Sequence, residues 1–369
     1  MSNLTNDTEA FFIYESLETA LNAYVSLIGE YFWVFVYFPT AVVGFFCNLL
    51  SFIIFLQKDF NIKLYSYFRL VSFVSIVNCL IASVYPFSVV KRMGFISNFA
   101  FLAWQCYFSI PIGSLDYYYC SVLDILILLD RLSTFIQKLR DIYAKVNTRF
   151  LCIFSLVICI VINFPNNFVF EPGSIELYYY GQNNNTIEMF RMTYALTSQF
   201  ALSSFGQILT YLVYALRDVV TTLAVIILNI FNLIYLKNHL KKKNKIIKRA
   251  SIFKTHVDQT DQSNTGNRKE SNAGLNGNVK KSKTKQDNVD RKASIMVLVM
   301  CSMTTISNAL VISSTIYFYF NMNAAANLFG QFAEYVCLFK FSSQIFVFYS
   351  FNSIFKAKLR TILRIDRKK

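Results

Sequence analysis

Charge is scarce in this sequence. Asp, Glu, Lys and Arg make up 15% of the 369 residues and hydrophobic residues 55%, whereas soluble chains carry roughly 25% charged residues. Of the 36 basic and 21 acidic side chains, 21 fall within residues 237–292, leaving 36 for the other 313 positions. That is too few to cover a soluble globule, and the apolar content is too high for a disordered chain. Histidine is rarer still. His239 and His256 stand apart, with no cysteine neighbour at metal-ligand spacing and no acid partner close by, so neither a metal site nor an acid–base pair is legible. There is no paired-carboxylate motif, no internal repeat and no pair of Gly/Pro-broken spans, so the usual marks of an enzyme or a secondary transporter are missing. The expectation is a chain without catalytic residues or cofactor. The first basic residue is Lys58, so the initial apolar run has no positive n-region and does not read as a secretory signal.

What is present is a succession of long apolar runs. About 20 mostly apolar residues cross the hydrocarbon core as a helix. Six runs qualify, at 31–56, 67–90, 101–129, 150–170, 219–236 (beginning near Ile208) and 293–320. A seventh, 328–351, is interrupted only by Glu334 and Lys340. Residues 190–206 are less apolar, carry Arg191 and read as the end of a long loop. The predicted fold is therefore an all-α membrane protein. A seven-transmembrane helix bundle over 31–352 follows an N-terminal segment, 1–30, and precedes a short tail, 353–369.

The basic residues orient the bundle. Starting outside and alternating, the loops place 31 Lys and Arg on the inner side against four outside, which makes the N-terminus extracellular. The sequons at Asn3, Asn6 and Asn184 all fall in segments assigned to the outside, as glycosylation at a plasma membrane requires. Most of the net charge of +15 belongs to the third inner loop. Residues 238–291 are rich in Lys, Asn, Ser, Gly and Gln, which predicts a disordered basic loop whose ends lie against anionic lipid; it is not a nucleic-acid-binding face. Ser251 and Ser294 each follow a basic pair, a pattern that basophilic kinases accept. In the tail, Phe355, Leu359, Ile362 and Leu363 alternate with Lys356, Lys358, Arg360 and Arg364, an amphipathic helix for the inner leaflet. Most cysteines lie in spans. Cys106 is the one placed for an extracellular disulfide, and the following outer loop has no cysteine to meet it.

At the inner end of the third span the sequence reads Leu129-Asp130-Arg131-Leu132. This resembles the Asp-Arg-Tyr motif of rhodopsin-like (class A) G-protein-coupled receptors, and Cys106 stands at the spacing that family uses before the arginine. Gly44-x-x-x-Asn48 is similar to the Gly-Asn pair of its first span. Tyr349-Ser350-Phe351-Asn352-Ser353-Ile354-Phe355-Lys356 resembles the entry to its short surface helix. The resemblance covers about residues 31 to 363 and has clear departures. Asn78 replaces an aspartate, the fourth span lacks its tryptophan, the sixth lacks Trp-x-Pro and any proline, and Gln344-Ile345-Phe346-Val347-Phe348 stands where Asn-Pro-x-x-Tyr is usual. In these departures the chain is similar to the divergent neuropeptide receptors and chemoreceptors of invertebrates.

The resemblance implies a non-enzymatic transducer with an extracellular peptide or small-molecule ligand and a heterotrimeric G protein as partners, in a lipid bilayer. Asp130 and Arg131 would form the resting ion pair that releases Arg131 for the G protein. Asn48 and Asn78, with Gln344, would hold the first, second and seventh spans together. The positions matching an opsin's lysine hold Leu338 or Phe339, which excludes a retinal Schiff base. Gly113 stands where amine receptors carry their aspartate, which argues against an aminergic ligand. The ligand cavity would be lined by Gly113, Asp116, Tyr117, Arg217, Asp218 and Glu334. Asp124, Asp116 and Lys340 are ionisable groups inside spans, where such groups face the interior and pair, so Lys340 is expected to meet Asp124 or Asp116. A different class, a transporter or ligand-gated channel, would use the same intramembrane charges to line a path; the inward N-terminus of seven-span insect-type odorant channels conflicts with the charge count.

Overall fold

The structure is a computed structural model that describes residues 28–29, 31–89, 103–180, 187–260, 273–320 and 324–364. Among the described residues nine principal helices form: α1 (Trp33–Phe55), α2 (Lys63–Val89), α3 (Gln105–Phe135), α4 (Gln137–Lys145), α5 (Thr148–Asn163), α6 (204–260), α7 (Ala273–Phe320), α8 (Ala324–Phe351) and α9 (Ser353–Ile362). Stretches of α1, α2, α3, α6 and α7, and the Thr148–Phe168 segment containing α5, are long and apolar enough to cross a membrane, six in all. A helix meets that requirement because it pairs its own N–H and C=O groups where no water can. The protein is thus a multi-pass helical membrane protein.

The faces follow the solvent. On α5, Phe150, Ile153, Phe154, Val157 and Val161 are exposed while Cys152, Ser155 and Cys159 are buried. Both sets repeat every three to four residues, so large apolar side chains point outward and small ones inward, the reverse of a soluble helix. The expected seventh span forms a 28-residue helix, α8, yet it is too polar to count among the six. The reason lies in its surroundings. Lys340, Phe341, Ser342, Ser343, Gln344 and Ile345 are consecutive and all buried, so protein surrounds this part of α8 and its polar groups do not meet lipid.

Two expectations are corrected. Two segments read as loop form antiparallel strands, β1 (Phe170–Tyr180) and β2 (Ile187–Thr197), in register from Phe170 opposite Thr197 to Tyr180 opposite Ile187. The strands are rich in Tyr, Phe, Ile and Thr, which suit a pleated surface, and pairing satisfies their backbone. The fold is therefore helical with one two-stranded sheet. Ser198 then caps a short helix, Gln199–Leu202, and Ser203 caps α6 by accepting from the Gly206 amide at 3.0 Å. The third inner loop, expected to be disordered over 238–291, is helical through Thr260 and again from Ala273. Polar sequence does not bury surface, but a helix already nucleated inside the membrane propagates at one hydrogen bond per residue.

The chain divides into two compact units. The first comprises Met1–Leu123, Thr148–Leu223 and Met303–Ile345; the second comprises Asp124–Asn147, Ala224–Ser302 and Phe346–Lys369. In the first unit α1 and α2 are joined by an aromatic cluster of Phe55, Phe60, Tyr65 and Phe68 with centroids 4.9–6.3 Å apart. Arg69 closes it, donating from Nε and Nη2 to the Phe55 carbonyl at 3.1 and 2.8 Å. Asn48 links α1 to α8, donating to the Gly44 carbonyl at 2.9 Å and the Phe341 carbonyl at 3.0 Å. Gly44 allows that approach, since a Cβ there would lie 2.2 Å from Ser342 Oγ and 2.9 Å from Cys79 Sγ. In the second unit Asn352 caps α9, accepting from the Phe355 amide at 3.0 Å. Of the apolar residues expected on one face of α9, Phe355 and Leu359 are buried while Ile362 and Leu363 are exposed.

The contact at Gly44 makes a thermodynamic prediction. Gly44→Ala destabilises the protein by about 1–3 kcal/mol through overpacking, and adding Ser342→Ala recovers part of the loss. Thermal unfolding of the two single variants and the double variant in lipid nanodiscs measures the coupling. Strictly additive losses would show that α1 and α8 do not meet at this point.

Candidate functional site

The first unit encloses a cavity of about 290 Å³. Gly113, Ser114 and Tyr117 of α3 reach it, as do Asn78 of α2, Arg217 of α6 and Glu334 of α8. Four of the six residues expected to line a cavity therefore do so: Gly113, Tyr117, Arg217 and Glu334. Asp116 and Asp218 do not. Asp218 lies behind the wall as the partner of Arg217. Asp116 has one carboxylate oxygen buried without a hydrogen-bond partner among the described residues.

Arg217 is positioned by local backbone. Residues Ala215–Val220 form a π-turn inside α6, wider than an α-turn, and the Thr221 hydroxyl donates to the Arg217 carbonyl across it. The guanidinium meets Asp218 as a fork, Nε to Oδ1 at 2.7 Å and Nη2 to Oδ2 at 2.8 Å, with side-chain exposures of 12% and 10%. Such bidentate pairs are among the strongest polar contacts. Its Nη1 donates to Ser114 Oγ at 2.5 Å, and Ser114 Oγ in turn donates to Asn163 Oδ1 at 2.8 Å. Asn166 donates to both Ser114 Oγ, at 3.0 Å, and Asn163 Oδ1, at 2.8 Å. The guanidinium carbon also lies 4.8 Å from the Tyr214 ring centroid. Across the same unit the Tyr117 hydroxyl donates to Asn308 Oδ1 at 2.6 Å, and Asn308 Nδ2 donates to Thr222 Oγ1 at 3.1 Å. Tyr117 is thereby held at the wall by α6 and α7.

The other expected polar groups separate. Asn48 makes the α1–α8 link and stands 3.9 Å from Cys79 Sγ, whereas Asn78 lines the cavity instead of joining helices. Lys340 is buried with its ammonium 4.8 Å from the Phe341 ring centroid. Asp124 and Gln344 are both buried. Cys106 and Cys337 are free thiols, so neither forms a disulfide. Ser294, expected near a helix start, is 6% exposed well inside α7, where a kinase reaches it only after local opening. Ser251 lies in α6. Asn3, Asn6 and Asn184 lie outside the described residues.

The second unit holds the other expected pair. Arg131 Nη2 donates to Asp130 Oδ2 at 2.9 Å, with side-chain exposures of 11% and 10%. The residues stand in the last turns of α3, where the Ser133 hydroxyl donates to the Asp130 carbonyl at 2.7 Å. Arg131 Nε is buried without a hydrogen bond among the described residues. The Tyr143 hydroxyl of α4 donates to the Leu126 carbonyl at 3.1 Å, and Asn232 of α6 donates to the Leu128 carbonyl at 3.1 Å. These bonds brace α3 just before the pair.

Sequence reasoning missed Ser114, Asn163, Asn166, Asn232 and Asn308. The signal that marked Asn48 and Asn78, an amide inside or bordering an apolar run, also marks Asn163, Asn232 and Asn308. Compared with known protein families and with characterised proteins, the chain matches none.

The Arg217–Asp218 fork is testable by charge accounting. Asp218→Asn leaves a buried guanidinium short of its counter-charge and costs about 3–5 kcal/mol. The double replacement Arg217→Met/Asp218→Leu costs much less, because both desolvation penalties vanish together. Unfolding of the variants in nanodiscs measures the difference; a double variant no better than Asp218→Asn would contradict the pairing.

Proposed function

We propose that the protein is a rhodopsin-like G-protein-coupled receptor of the plasma membrane, with its N-terminus outside and α8 as a seventh span. An extracellular peptide or small molecule binds in the cavity of the first unit, and Arg131 engages a heterotrimeric G protein. The observation that carries this reading is the buried Asp130–Arg131 pair in the last turns of α3. A buried arginine held by a single neighbouring carboxylate is a two-state element, because a competing partner can take the guanidinium when the packing around it changes. The cavity supports the reading because Gly113 and Tyr117 line it from the same helix that ends in Arg131. The long basic extensions of α6 and α7 and the short helices α4 and α9 supply cationic and amphipathic surface for a membrane-bound partner.

The amphipathic α9 lies on the inner leaflet in this reading, and Asn3 and Asn184 carry glycans outside. The inner side then holds the 31 Lys and Arg counted from the loops.

Two variants test the proposal in cells. Arg131→Ala, matched to wild type in surface display by an N-terminal tag, abolishes G-protein activation while ligand binding persists. Gly113→Leu acts at the other end. A Cβ at Gly113 meets nothing within 4 Å, so a larger side chain grows into the cavity without disturbing the wall. It removes ligand response and leaves surface display unchanged. Ion currents or solute uptake unaffected by Arg131→Ala would replace the receptor with a transporter or channel.

A further inference from the structure

The wall of the cavity has an unbalanced charge. Arg217 contributes a positive group, but its Nε and Nη2 are committed to Asp218 and its Nη1 to Ser114. An anionic ligand would have to break that fork to be recognised. Glu334 brings a carboxyl side chain to the same lining, is exposed, and forms no ion pair among the described residues. Lys340, six residues further along α8, does not line the cavity. The remaining wall is aromatic and small, with Tyr37 and Tyr117 beside Gly113 and Ala82, and with Phe341, whose ring already faces the Lys340 ammonium at 4.8 Å. Aromatic faces attract cations. A neutral ligand sealing this space would strip water from Glu334 and return nothing to it, a costly desolvation. A cation both displaces the water and supplies the counter-charge. The volume of about 290 Å³ lies at the small end of ligand pockets, which run from roughly 300 to 1,000 Å³, and suits a compact molecule better than a peptide segment.

We infer that this cavity takes a small organic ammonium ion with an apolar, ring-sized body, paired with the Glu334 carboxylate and flanked by the rings of Tyr37 and Tyr117. The glycine at position 113 excludes a counter-ion from α3 only; α8 supplies one from another wall. The inference deepens the receptor reading by naming the charge class of its ligand. Its readout is binding, so a protein that binds the cation and activates no G protein would sink the receptor reading alone.

The test uses the full chain in lipid nanodiscs and three probes of nearly equal shape and different charge: phenethylamine, 2-phenylethanol and phenylacetate. Saturable thermal stabilisation is measured for each on wild type, Glu334→Gln and Glu334→Asp. Phenethylamine stabilises wild type in a saturable manner, and the alcohol and the acid do not. Glu334→Gln weakens apparent phenethylamine affinity roughly ten- to a hundredfold, while Glu334→Asp, which keeps the charge, retains saturable binding. Equal responses to amine and alcohol, a preference for phenylacetate, or no saturable response to any probe at millimolar concentration overturns the inference. So does a Glu334→Gln protein that binds the amine as wild type does. If Glu334→Gln does not fold, the wild-type ranking of the three probes and the Glu334→Asp protein decide the matter.

Discussion

A guanidinium inside a helix bundle that lipid surrounds has to find a counter-charge, and in the first unit Arg217 finds it in the residue that follows it. The fork with Asp218 uses two of its donors and the bond to Ser114 a third. The remaining arrangement of the cavity wall rests on that commitment. Ser114 gathers Asn163 and Asn166, which draws α3 and the end of the fourth span onto α6. Arg217 becomes a neutralised part of the wall, which Glu334 also lines.

The same economy governs the second charged pair. Asp130 and Arg131 are also consecutive, also about nine-tenths buried, and held by one bond at 2.9 Å. The difference is in how firmly each is tied. Arg217 has a bidentate partner and a hydroxyl besides, whereas Arg131 keeps a buried Nε without a bond among the described residues. A buried donor left unmade is a penalty that a better partner can relieve. Of the two, Arg217 is the more firmly tied.

The polar helix α8 shows why composition is an incomplete guide to membrane chains. Hydropathy measures a segment against lipid, but a helix covered by its neighbours meets protein. Six consecutive residues from Lys340 to Ile345 are buried, and α1 supplies hydrogen-bond partners to two of them, Asn48 to the Phe341 carbonyl and the Thr40 carbonyl to the Ser342 hydroxyl. Gly44 lets the backbones approach closely enough for those bonds to form.

Much was legible in the sequence because lipid imposes a simple rule on it. The six apolar runs, the helix α9, the Asp130–Arg131 pair and the Gly44–Asn48 contact surface all follow from local composition or from residues close together in the chain. Four of the six cavity residues could be named because long-range helix order was implied by a resemblance. What stayed hidden depended on pairing across the chain. The sheet requires two strands to find one register, Ser114 meets Arg217 across 103 positions, and Tyr117 meets Asn308 across 191. The helical continuation of α6 and α7 depends on nuclei inside the membrane, which polar composition does not record. The sequence by itself determined which segments leave water, since that is a property of each segment's own side chains. Only the tertiary structure decided which side chains share the cavity wall and which polar groups bond across it, because that depends on distances between residues far apart in the chain.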